Sequence, residues 1–441
     1  MGKKITVQRF AAAAALAAAL LGASGCAAGR VAGPETAAVA GETDDGRGQK
    51  QGRTITVWGR ESDLGRGYMA KAFARYEELT GNTVRTVAVA PEQMVGEVRS
   101  ALADEDSGLD LLLYYGGVNL DPFDPDENFY DFSNAPWVDD LTDVSINQSI
   151  YHGKVIGLPH WEASVSGTLY NKRIFQKLGI KVPRTQEEFL QACGTLLDNG
   201  VIPLYLPCGS PTMLLYQFPL DTIVQDKDVL EAVNKGLIGY RDLPEMHAVV
   251  EWYCRMARQG YLGGSYREND WDGMDAALKS GDYAMMLCWD TWLYTDFTGN
   301  ADDFGLMPAF VGVPDQGTFE GPNLSLLMVN RHGDQVDEAL ELVAFMADPV
   351  NYNYAFEDIY TAPVFKQQRA SISTPQYVEA AGWIEERYSD SIAWLRIKGF
   401  SQSDAVCILG CMEDGGDGAV EKCLVEMDAM RIKRAKLCPQ N

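Results

Sequence analysis

Hydrophobic and polar residues alternate over residues 54–58 (TITVW), the period-2, β-branched pattern of a strand. Met69, Phe73 and Tyr76 then recur at helical spacing and stop near Gly81. A second strand is predicted over 83–89 and a second helix over 92–103. Residues 109–115 (LDLLLYY) form a short, nearly continuous apolar run, as a strand buried on both faces requires. This β-α-β-α-β order predicts a parallel, doubly wound sheet, so the fold class expected is α/β. In such sheets ligands sit beyond the carboxyl ends of the strands. Those ends are Trp58-Gly59-Arg60-Glu61 and Tyr114-Tyr115-Gly116-Gly117. Both set aromatics beside glycine, which serves packing and binding alike.

From residue 155 to 193 the pattern reads strand, short helix, turn, helix. Residues 156–159 are apolar and extended. Asn171 is placed to cap a helix whose apolar face is Ile174, Phe175 and Leu178, and Gly179 ends it. Pro183 breaks the chain, and Thr185 with Glu188 is a capping box for a helix carrying Phe189, Cys193 and Leu196. Residues 325–330 (SLLMVN) read as an isolated strand able to complete the first sheet. A helix with Val336, Ala339, Val343 and Met346 would cover it. Residues 420–436 predict an amphipathic helix with a basic end, packed on the second half of the protein.

At the amino terminus, Lys3, Lys4 and Arg9 flank an Ala/Leu run over residues 10–21. That run is too short for a ~30 Å hydrocarbon core, which takes ~20 residues. It ends in Ala23-Ser24-Gly25-Cys26, and small residues there mark a secretory signal. The following cysteine resembles the bacterial lipoprotein signal, which implies that residues 1–25 are removed and Cys26 is lipidated. Ala23 stands where leucine is commoner, and a plain secretory signal with an incidental Cys26 is the alternative. Residues 26–53 have no hydrophobic period and predict a flexible tether.

A chain of 441 residues is long for one core, so two domains are expected. Its 62 acidic against 37 basic residues give a net charge of −25, or −28 without Lys3, Lys4 and Arg9. That excludes nucleic acid as a partner, because phosphate binding needs clustered Lys and Arg. The four histidines (His152, His160, His247, His332) have no metal-ligand spacing. Neither a Gly-rich phosphate loop nor Gly-x-Ser-x-Gly occurs, so no metal, no cofactor and no catalytic residue is expected. The acidic stretch 121–128 lacks the Gly and Glu of an EF-hand loop counted from Asp124 and reads as a solvated loop. Eight cysteines accompany Cys26, four of them (Cys407, Cys411, Cys423, Cys438) in the tail. Buried thiols, one or two disulfides, or a zinc knot remain alternatives, with connectivity open.

Three blocks carry a resemblance. Gly157-Leu158-Pro159, Leu169-Tyr170-Asn171-Lys172, Leu178-Gly179-Ile180 and the Pro183–Phe189 turn make the first. Leu278 to Met285, leading to Trp289 and Trp292, makes the second. Asp348-Pro349 followed by Thr361-Ala362-Pro363-Val364 makes the third. In this order the chain resembles the extracellular solute-binding proteins of ABC importers, in the large sugar-binding class that includes maltose-binding protein. The match runs from about residue 54 to 365; the last 70 or so residues match no motif.

The resemblance implies a two-lobed periplasmic-binding-protein-like fold with a ligand cleft between discontinuous lobes. It places lobe 1 at 54–160 and 321–360, and lobe 2 at 161–320 and 361–441, with crossings near 160–167, 321–326 and 360–365. It implies a carbohydrate ligand, ABC permease subunits as partners, a lipid anchor on the extracellular face of the cell membrane, and a monomer. Sugars would stack on aromatic rings while carboxylates and amides take the hydroxyls. The ligand-binding set so implied is Trp58, Glu61, Tyr115, Trp161, Glu162, Ser164, Trp289, Asp290, Trp292 and Asn323, with either Trp289 or Trp292 facing the cleft. The contrasting classes are a carbohydrate-active enzyme using carboxylates such as Glu61 and Glu162, and a binding scaffold without transport.

Overall fold

Three strands, β1 (Thr54–Gly59), β2 (Thr83–Ala88) and β3 (Leu111–Tyr115), run parallel in the spatial order β2-β1-β3. Leu111, Leu112 and Leu113 are fully buried; strand alternation sends Leu112 to one face and its neighbours to the other. The joining helices α1 (Gly67–Thr80) and α2 (Met94–Leu102) cover opposite faces. Tyr68, Met69 and Phe73 pack with Ile55 and Val57, whereas Met94 and Val98 pack with Leu112. This computed structural model describes residues 52–436, apart from 92, 105, 162–163, 210–225, 313, 362, 370–372, 390–391 and 417. The signal segment, Cys26, nearly all of the tether, Glu162 and Cys438 lie outside the described residues.

A hairpin of β4 (Ile150–Tyr151) and β5 (Lys154–Val155) precedes β6 (Leu158–Pro159). The second sheet begins with β7 (Ser166–Asn171) and adds β8 (Ile202–Tyr205), β9 (Tyr283–Trp289), β10 (Phe304–Met307) and β11 (Phe319–Glu320). β7 pairs antiparallel with β9 on one side and with β10 and β11 on the other, and β8 lies parallel to β9. β12 (Ser325–Val329) returns to the first sheet between β3 and β6, antiparallel to both, as the isolated SLLMVN strand suggested. β13 (Tyr388–Ser389) edges the second sheet beside β11.

The caps read from sequence form. Asn171 Oδ1 accepts from Ile174 N at 3.0 Å to open α3 (Lys172–Leu178), and Gly179 closes it at φ 68°. Thr185 Oγ1 accepts from Glu188 N at 3.2 Å to open α4 (Gln186–Asp198). The Glu188 carboxylate returns to Arg184 N at 2.7 Å, one residue earlier than a capping box requires. α5 (Pro244–Arg258) supplies much of the second core, while α6 (Val336–Ala347) and α7 (Pro349–Ala355) pack on the first sheet.

The chain passes between the sheets three times. The first passage, residues 160–165, joins β6 to β7. The second, residues 321–324, joins β11 to β12 and is held from both sides. Gln148 Nε2 donates to Pro322 O at 2.6 Å and its Oε1 accepts from Leu324 N at 2.8 Å, while Gly321 N donates to Ser389 O at 2.7 Å. A Cβ at Gly321 would strike the Tyr388 hydroxyl. The third passage lies later than the 360–365 expected. Val364 and Phe365 are buried in the first core, Phe365 bridges Leu141, and Thr142 N donates to Val364 O. Arg369 N still reaches Asn353 Oδ1 at 3.0 Å; the chain has crossed by Thr374, the cap of α8 (Pro375–Arg387). Two apolar side chains with a site under α7 keep that stretch on the first lobe.

Beyond α8, the short α9 (Ile392–Arg396) touches both lobes. Asn119 Nδ2 donates to Trp394 O at 3.2 Å on the first side. Asn234 Nδ2 donates to Arg396 O at 2.9 Å on the second. Gly117, at φ 62°, lies where a Cβ would strike the Leu395 carbonyl. α10 (Ala405–Asp414) and α11 (Ala419–Ala435) pack on α5 and extend the second core. The acidic stretch 121–128 is folded, with Asp124 and Glu127 left exposed to solvent: Asp121 accepts from the Tyr151 hydroxyl at 3.1 Å, and Asp126 pairs with Lys154 and His152.

Candidate functional site

Strand register locates the site. Tyr115 ends β3 opposite Ser325, the first residue of β12, and Pro159 lies opposite Leu326. In the second sheet Trp289 ends β9 opposite Ser166, which in turn faces Glu320 of β11. The first two passages therefore leave each sheet at the end carrying Tyr115 and Trp289, which is where an α/β sheet exposes its binding crevice. A groove of about 990 Å³, lined by Tyr170, Arg184, Glu188 and Trp383, lies elsewhere. Tyr170 belongs to the opposite end of β7 from Ser166.

On the first lobe the strand ends form a charged aromatic cluster. Arg60 Nε donates to Asp63 Oδ2 at 2.7 Å, and Arg60 Nη2 donates to the Tyr115 hydroxyl at 2.6 Å. The guanidinium lies 4.4 Å from the centre of the Tyr115 ring, and Trp394 meets that ring edge-on at 5.5 Å. Burial pushes the Tyr115 hydroxyl above its ordinary range, against the pull of Arg60. Glu61 is exposed in the first turn of the adjoining Glu61–Leu64 helix.

On the second lobe Trp289 stacks on Trp271 with centroids 5.3 Å apart and planes at 26°, an offset stack that leaves both rings half-buried. Trp292 is only 1% exposed and packs against Phe297. Of the two tryptophans, only Trp289 keeps accessible surface.

Several members of the expected ligand set turn out to be internal. Asp290 is 2% exposed with both oxygens occupied: Oδ1 accepts from Val165 N at 2.9 Å and Oδ2 from the Thr374 hydroxyl. Burial raises its carboxyl pKa and those bonds oppose the rise. Asp290 thus fastens the second-lobe ends of the first and third passages. Trp161 is buried edge-on to Tyr68 at 6.1 Å with Arg66 over its ring. Trp58 points to the α2 face, in a shallow groove with Gln93, Glu97 and Ser100 rather than beside Tyr115. Alternation decides this, because Trp58 pairs with Leu112 and shares its face.

Ser164 is half-buried on the first passage and Asn323 on the second. The Asn323 Oδ1 is buried without a partner among the described residues. Tyr115, Trp289, Ser164 and Asn323 are thus brought to the passage end of the sheets. The sequence reading passed over Trp271 and gave Arg60 no role. Trp271 carried a signal: a tryptophan in the polar run Glu268-Asn269-Asp270-Trp271-Asp272.

Comparison with known proteins agrees with this fold. Residues 71–382 match the model of the bacterial extracellular solute-binding protein family. An uncharacterised ABC transporter extracellular-binding protein of Pyrococcus horikoshii is 25% identical over 207 residues. That match takes in 44% of this chain and spans about half the length of the relative, 45%. Among solved structures, the msme binding protein of Bacillus subtilis, in an open conformation, superposes with a TM-score of 0.70 at 17% identity, over 87% of this chain and 98% of that one. A sugar transporter protein of Bacillus licheniformis in complex with stachyose gives 0.64 at 15% identity, over 87% and 100%. With two sheets, three passages and a family match over most of its length, this chain belongs to the bacterial extracellular solute-binding proteins.

Proposed function

We propose that this protein captures a carbohydrate between its lobes and delivers it to the permease of an ABC importer. It would work at the outer face of the membrane, held there by a lipid on Cys26. The observation that carries the reading is the pair of aromatic platforms, Tyr115 on one sheet and stacked Trp271–Trp289 on the other, at the ends from which the passages leave. A sugar offers apolar C–H faces that stack on such rings, and its hydroxyls need partners once desolvated. Ser164, Asn323 and Arg60 supply polar groups beside the platforms. The stachyose-bound relative of the same fold supports an oligosaccharide as the ligand class.

The mechanism is closure without chemistry. Ligand bridging both platforms favours the closed arrangement by its differential contacts there, and a permease distinguishes closed from open. A thermal-shift screen of the full chain with stachyose, maltose, chitin oligosaccharides and a dipeptide control tests the reading. At least one carbohydrate should raise the melting temperature and be recovered intact. A rise with the dipeptide alone contradicts the ligand class, and turnover of any sugar contradicts a pure binder.

A further inference from the structure

Cys254 on α5 and Cys411 on α10 place their Sγ atoms 2.8 Å apart, although 157 residues separate them in sequence. All seven described cysteines are thiols and all are buried. Cys193 and Cys208 sit in apolar surroundings, where burial pushes Cys208 up to about 12. Cys411 departs from that pattern: hydrogen bonds from Cys254 and then Cys423 hold it well below the usual thiol range, opposing its burial, with Arg258 adding to the pull. The thiolate is the attacking form in exchange, and Cys411 is the thiol that the other two face. Cys423, on α11, also donates to the Met427 thioether at 3.8 Å. Among the described residues no group of His, Cys, Asp and Glu is arranged to hold a metal ion.

The pair is also approachable. A cavity of about 390 Å³ reaches it, lined by Glu251, Cys254, Arg258, Cys411, Gly415 and Gly418. The two glycines turn the chain between α10 and α11 at φ 56° and 81°.

We propose that Cys254 and Cys411 close a disulfide that pins the C-terminal helix pair to α5, formed by exchange with an external disulfide entering through this cavity. The Cys411 thiolate attacks one sulfur of the donor, giving a mixed disulfide and releasing one donor thiolate. The Cys254 thiolate then attacks the Cys411 sulfur, forming the Cys254–Cys411 bond and expelling the second donor thiolate. Two electrons pass to the donor, and the two protons lost by the cysteines end on its two thiols. The pairing is independent of the ligand proposed above.

The test uses the full chain, reduced, then treated with glutathione disulfide, alkylated and digested with trypsin. Trypsin separates Cys254 (residues 242–255), Cys407 with Cys411 (399–422) and Cys423 (423–431). The expected product links 242–255 to 399–422 through Cys411, with Cys423 alkylated. The same link should form in Cys407→Ser and be lost in Cys411→Ser. Closing so long a loop should raise the melting temperature by about 5 °C. A link between 399–422 and 423–431, or alkylation of both Cys254 and Cys411 after the treatment, overturns the pairing, and the unsubstituted protein decides it alone. A linked protein that melts no higher overturns the pinning role.

Discussion

His160 makes the stability of this protein acid-sensitive in a way that one substitution should remove. It opens the first passage, fully buried in a cage of Tyr68, Tyr352 and Phe356 with ring centroids 5.1–6.0 Å away. Neither ring nitrogen has a hydrogen-bond partner among the described residues. Burial therefore depresses its pKa to about 3, against ~6.5 in an unfolded chain. Between those values the unfolded chain binds a proton that the folded chain refuses. Stability from this residue is complete above about pH 6.5, falls as the pH drops, and levels off only near pH 3. The linkage amounts to about 2 kcal/mol lost at pH 5 and about 3 kcal/mol at pH 4. Carboxylates titrate over the same range, so the informative quantity is a difference. Urea unfolding of the native protein and of His160→Phe, at pH 7.5 and pH 5, should show the native protein losing about 2 kcal/mol more than the variant. The absolute cost of fitting phenylalanine into the cage cancels in that comparison. Parallel losses in the two proteins would refute a neutral, unpartnered His160.

Other substitutions separate binding from folding. Trp289→Ala should weaken carbohydrate binding about tenfold by calorimetry with little change in melting. Trp292→Ala should cost ~3–5 kcal/mol of stability in denaturant titrations, as expected for a buried core tryptophan. Asp290→Ala leaves Val165 N and the Thr374 hydroxyl without their acceptor and should cost about 2–3 kcal/mol by the same measurement. Gly117→Ala forces a side chain into positive φ against Leu395. It should lose more than about 1 kcal/mol and shift the fluorescence of the neighbouring Trp394.

The local grammar of the fold was legible in the chain. Strand alternation, the Asn171 and Thr185 caps and the SLLMVN strand depend on neighbours a few residues away, and each formed where its pattern placed it. The site was legible only to the level of strand ends. Which way a ring turns there depends on distant partners. Trp58 follows Leu112 to the α2 face, whereas Tyr115 is held by Arg60 and Trp394. Asp290 reads as a solvent-facing carboxylate beside tryptophans until Val165 and Thr374, 125 and 84 residues away, occupy its oxygens. The third passage was misplaced for the same reason. The Thr361-Ala-Pro-Val block marks the stretch, but the core that receives Val364 and Phe365 is built from α1, α6 and α7. The Cys254–Cys411 proximity is likewise a product of packing between α5 and α10.

Capture of a carbohydrate between Tyr115 and the Trp271–Trp289 stack is tested most directly by calorimetric titration of the full chain with the oligosaccharides that raise its melting temperature, stachyose first. One-to-one saturable binding is expected, weakened about tenfold in Trp289→Ala and unchanged in Trp383→Ala, which lies in the groove at the far end of β7. Equal binding by the native protein and Trp289→Ala, or loss of binding in Trp383→Ala alone, would contradict it.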